Sequence, residues 1–86
     1  MNIDIGQLVY SRAGRDSGRK FVVINIVNEN YVLVVDGCLR KLENPKKKNC
    51  KHLEITDIIL DKINIEIIKN KKINNAEIRE ILKYNM

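Results

Sequence analysis

The chain has 86 residues, 44% hydrophobic and 31% charged, and a chain of that size buries only about 60% of its unfolded surface, enough for one core and not two. Lys and Arg outnumber Asp and Glu by 16 to 11, a net charge of +5 that favours an anionic partner. No apolar run approaches the ~20 residues needed to cross a bilayer, and Met1-Asn2-Ile3-Asp4-Ile5 lacks the basic and apolar regions of a signal peptide; we therefore expect a soluble, cytoplasmic monomer with no membrane partner.

Taken in order, Gln7-Leu8-Val9-Tyr10 reads as a short strand. Ala13-Gly14-Arg15-Asp16-Ser17-Gly18 is a loop, with Gly14 and Gly18 as its turn residues. Residues 21–27 are rich in β-branched side chains and predict a strand. Asn28-Glu29-Asn30 is a hairpin turn, and Tyr31-Val32-Leu33-Val34-Val35 is the returning strand. Asp36-Gly37 signals another turn. Residues 38–42 alternate apolar and basic side chains and predict a fourth strand. Residues 43–51 read as a polar loop with the only proline, Pro45, and Leu53-Glu54-Ile55 as a short closing strand.

Both faces of residues 21–27 are mostly apolar, the pattern of a strand covered on each side. The covering material is expected from the C-terminal third. Residues 58–68 are Ile-rich with ambiguous periodicity, fitting a strand, a helix, or one then the other. Beyond them, Asn74 is an N-cap with Glu77 at the capping-box position, and Ile73 and Ile78 stand at the hydrophobic-staple positions. Ile78, Ile81 and Leu82 form an apolar stripe. A helix at about residues 75–84 follows, too short to persist undocked. The expected division is residues 1–56 as a β-barrel and 57–86 as a segment ending in this helix.

The positive charge is local. Residues 1–38 carry four basic and four acidic side chains, and residues 53–86 carry six of each. The whole excess lies in residues 39–52, where Arg40, Lys41, Lys46, Lys47, Lys48 and Lys51 face Glu43 alone. A second cluster, Arg12, Arg15, Arg19 and Lys20, surrounds Asp16. Three of its four members are Arg in a chain with 11 Lys and 5 Arg, and the Arg fork suits phosphate and stacks on bases. A solvated charge run is the bland alternative; an electrostatic footprint for phosphate is the functional one.

Catalytic constellations are missing from the pattern. Cys38, Cys50 and His52 give three ligands at unsuitable spacing, so no metal is expected. Ser11 and Ser17 have no nearby base, no Gly-Lys-Ser/Thr follows the glycine loop, and the carboxylates are scattered. The cysteines are expected to be free thiols. We expect no enzymatic activity and no cofactor.

Gly6-Gln7-Leu8-Val9-Tyr10, Gly14-Arg15-Asp16-Ser17-Gly18-Arg19 and Phe21-Val22-Val23-Ile24 together resemble the KOW motif, with Gly18 as its fixed glycine. The later stretch runs through Tyr31-Val32-Leu33-Val34-Val35-Asp36-Gly37, Arg40-Lys41 and Asn49-Cys50-Lys51-His52-Leu53-Glu54-Ile55-Thr56. It resembles the KOW barrel of large-subunit ribosomal proteins of archaeal–eukaryotic type and of their small bacterial relatives. The resemblance covers roughly residues 5–56; the charge-balanced tail after Thr56 departs from it.

The resemblance implies a mainly β fold, a small SH3-like barrel of about five strands, here with a C-terminal helical segment packed on it. It also implies RNA binding, typically of ribosomal RNA, and association with the large ribosomal subunit. Tyr10, Arg12, Arg15, Arg19 and Lys20 would lie on or beside the loop that meets RNA. Arg40, Lys41, Lys51 and His52 fall in the matching basic segment, and Lys46, Lys47 and Lys48 join them from the charge run. Tyr10 is the candidate for base stacking, with Tyr31 as a second candidate for which core packing is the preferred role. The alternative is a transcription-elongation or other protein-interaction module of SH3-like type.

Overall fold

A three-residue connection decides the shape of the sheet. In the computed structural model, which describes residues 3–85, five antiparallel strands run β1 (Gln7–Ser11), β2 (Lys20–Ile26), β3 (Tyr31–Val35), β4 (Lys46–Asn49) and β5 (Leu53–Ile59). Their order across the sheet is β4-β3-β2-β1-β5. The two edge strands are thus consecutive in sequence, joined by a single 3₁₀ turn at Cys50–His52. In a flat sheet those edges would stand about 19 Å apart, at ~4.8 Å per spacing. The four steps from Asn49 to Leu53 reach only about 14 Å when fully extended. The sheet must therefore curl until its edges approach, which gives the barrel-like shape expected from the sequence.

Curling separates two apolar layers. Val9, Phe21, Val23, Val32, Val34, Cys50 and Leu53 face inward and form the barrel core. The alternate residues Leu8, Val22 and Val35 face outward and would be wet in a bare barrel. They pack against Leu60, Ile63, Ile78 and Leu82 from the C-terminal third. The unbroken apolar run of β2 thus has a two-sided cause, as its composition predicts.

The Ile-rich segment resolves into strand then helix: β5 continues through Ile59, and α1 (Asp61–Ile68) follows. The second helix, α2 (Asn75–Tyr84), has the predicted bounds. Asn74 Oδ1 accepts from the Glu77 amide at 2.8 Å, capping the first turn. Ile78 is buried and Ile73 packs in the same cluster. The capping box is only half made, because the Glu77 carboxylate turns to Lys62 of α1 at 3.2 Å. Among the described residues, no helix is long and apolar enough to cross a membrane.

Two expectations are corrected. Residues 38–42 form no strand. Asp36 Oδ1 accepts from the amides of Cys38 at 2.9 Å and Arg40 at 2.8 Å, and Gly37 takes a φ of +77°, so the chain winds into a turn. A side chain at Gly37 would also collide with the Asn75 carbonyl of α2. The fourth strand is instead Lys46–Asn49, within the segment read as a loop. Its Lys-Lys-Lys-Asn composition disfavours a strand, but the exposed edge of β3 supplies a ladder, pairing Tyr31 with Asn49 and Val32 with Lys48.

Candidate nucleic-acid interface

The glycine loop between β1 and β2 is held at its base by backbone bonds. The Gly18 amide donates to the Ser11 carbonyl at 2.8 Å, and the Ser11 amide to the Arg19 carbonyl at 2.9 Å. A 3₁₀ turn at Gly14–Asp16 forms its tip, with Gly14 and Gly18 at φ of +73° and +86°. Asp16 points back to the sheet, its carboxylate 3.6 Å from Lys48 Nζ and 3.8 Å from Arg40 Nη2.

Strand alternation divides the lysine run. Lys48 shares a face with Val32, runs inward, and is only 9% exposed. Its ammonium donates to Ser11 Oγ at 3.1 Å beside Asp16; a buried charge needs such partners. Lys47 points outward, its ammonium 4.8 Å from the centre of the Tyr31 ring. Lys46 is half-buried.

The other basic side chains divide the same way. Lys20 reaches across to α2, donating to the carbonyls of Leu82 at 2.6 Å and Asn85 at 3.0 Å. Arg19 pairs with Asp36 at 3.2 Å. By contrast, Arg12, Arg15, Lys41, Lys47, Lys51 and His52 are exposed. Among the described residues, neither they nor Lys46 form an ion pair.

The loop is flanked by two open clefts. One is lined by Tyr10, Ser11, Arg12, Ser17, Gly18 and Glu54; Tyr10 and Glu54 are direct cross-strand neighbours on β1 and β5. The other lies between the loop tip and β3–β4 and contains Ala13, Gly14, Tyr31, Lys46, Lys47 and His52. The structure therefore brings the tip of the glycine loop beside Lys46, Lys47 and His52 of the second basic segment. Lys20 and Lys48 are turned to internal partners. Tyr31, weighed from the sequence as a second stacking ring but preferred in the core, lines the second cleft, and sequence reasoning missed Asp16 as the anchor. The Tyr31/Leu33 against Val32/Val34 alternation carried the signal for Tyr31. Among the described residues, no group of three His, Cys, Asp or Glu side chains is placed to hold a metal.

No family model matches the sequence. The chain is similar to the large ribosomal subunit protein eL14 of several archaea. It is 40% identical over 55 residues to that of Desulfurococcus amylolyticus, covering 64% of this chain and 57% of the relative. The corresponding protein of Pyrobaculum arsenaticum is 42% identical over 55 residues, 64% of this chain and 53% of the relative. That of Staphylothermus marinus is 36% identical over 59 residues, 69% and 62%. The matched part spans little more than half the length of these relatives. Their names are those of large-subunit ribosomal proteins, the class to which the KOW pattern of residues 5–56 points.

Proposed function

We propose that this chain is a non-catalytic RNA-binding module that associates with the large ribosomal subunit and grips folded ribosomal RNA. The observation that carries the reading is a set of exposed cations that form no ion pair among the described residues: Arg12 and Arg15 on the glycine loop, Lys41 in the β3–β4 connection, and Lys47 and Lys51 on the β4–β5 segment, with Lys46 and His52 beside them. The names of the archaeal relatives support the ribosomal assignment. Arg and Lys neutralise phosphates and release counterions, so affinity is electrostatic and depends on salt. The Tyr10 ring, beside Arg12 in the first cleft, is offered to a base at the rim of the charged surface. Lys20 and Lys48 are left out of the contact set because their ammonium groups satisfy carbonyls and Asp16. Arg19 and Arg40 serve mainly to shape the loop through Asp36 and Asp16. Recognition then reads backbone shape more than base sequence.

Sedimentation of cell lysate through sucrose at low and high salt tests the reading. Co-migration with large subunits or whole ribosomes at low salt, lost at high salt, is the expected result. A protein that stays at the top of the gradient at low salt would overturn the ribosomal assignment.

A further inference from the structure

Tyr31 opens β3 and lies on its outer face, with Leu33 and away from the inward-facing Val32 and Val34. It is half-buried and lines the cleft beside the glycine-loop tip. The Lys47 ammonium stands over its ring, 4.8 Å from the centre. That contact shows an aromatic face turned to the cleft and accessible to a cation. An ammonium on a surface ring is easily displaced, and a nucleobase covers the same face more completely. The displaced lysine remains next to the phosphate that the base brings with it. Lys46 and His52 line the same cleft, and the space around Gly14 Cα is open, with no atom within 4 Å of where a side chain would start. The far wall therefore leaves room for a ribose and phosphate to pass.

We propose that the cleft between the glycine-loop tip and β3–β4 is a subsite for one unpaired RNA nucleotide, its base stacked on Tyr31 and its phosphate held by Lys46, Lys47 and His52. The subsite rests on the reading of the chain as an RNA binder and adds a preference for bulged or looped RNA over uninterrupted duplex. Tyr31 is then the residue that discriminates between them, and the surrounding lysines supply affinity to both.

The test compares a blunt RNA duplex with the same duplex carrying one bulged fluorescent purine analogue, using the full chain at low salt. The wild-type protein is expected to bind the bulged RNA on the order of tenfold more tightly and to quench the analogue on binding. Tyr31→Leu should abolish both effects while leaving duplex affinity within about twofold, because no phosphate contact is removed. Tyr31→Trp should keep the preference, which holds the test open should the leucine variant misfold. Equal wild-type affinity for the two RNAs, or quenching that survives in Tyr31→Leu, would overturn the subsite and leave the electrostatic reading standing. Failure to bind either RNA would overturn both.

Discussion

Lys48 and Asp16 lie 3.6 Å apart, both nearly buried, and tie the fourth strand to the tip of the glycine loop. The pair joins the two basic segments through their one shared acid. One lysine of the run 46–48 is thus a structural ion, and the loop is braced from beneath by the strand beside it.

Removing the acid should harm folding more than removing the base. Asp16→Ala strips Lys48 of its carboxylate and leaves a buried ammonium with Ser11 Oγ alone, at a cost of about 3 kcal/mol. Lys48→Met keeps most of the packing volume, and Asp16 retains Arg40, so the loss should be about 1 kcal/mol or less. Urea denaturation of the two variants measures the difference. Equal losses would mean that the pair is not buried in solution as it is here.

The Lys20 contacts make a second asymmetry visible. Its ammonium satisfies the Leu82 and Asn85 carbonyls at the C-terminal end of α2, where a cation also opposes the negative end of the helix dipole. Lys20→Met should cost about 1–2 kcal/mol and speed hydrogen exchange at the last turn of α2 while the β2 amides stay protected. The salt dependence of RNA binding should not change.

Ile78 joins α2 to the outer face of the sheet, in one cluster with Leu8, Val22 and Val35. Ile78→Ala should lower stability by about 2–4 kcal/mol. Helix and sheet should unfold in a single transition, because Ile78 and Leu82 of α2 share one buried cluster with Leu60 and Ile63 over the outer face. Circular dichroism and a β-core probe followed together would separate this from local loss of the helix.

Much of this architecture was legible because its causes are local. The β1 and β3 strands follow from short apolar runs, and α2 from Asn74 and the Ile78–Leu82 stripe. The misread part combines a local side-chain capture with a pairing between segments distant in sequence. Asp36 captures the amides of Cys38 and Arg40 and turns an alternating segment away from the sheet. The open edge of β3 then pairs with Lys46–Asn49, whose composition predicts nothing of the kind. The site was legible as charge but not as geometry. Among the eleven charged or imidazole candidates, only the structure shows that Lys20, Lys48, Arg19 and Arg40 have internal partners.

The exposed loop cations provide the sharpest check on the RNA reading. Arg12 and Arg15 are exposed and form no ion pair among the described residues, so their replacement should leave thermal stability essentially unchanged. If each contacts one phosphate, the double variant Arg12→Ala/Arg15→Ala should reduce the slope of log affinity against log salt by about two. Affinity should fall for duplex and bulged RNA alike, since phosphate contacts carry no sequence or loop preference. The Tyr31→Leu variant should show the opposite pattern, with its salt slope preserved and its preference lost. Isothermal titration at several salt concentrations distinguishes the two. A double-arginine variant with unaltered slope would move the phosphate contacts off the glycine loop and onto Lys41, Lys46, Lys47 and Lys51.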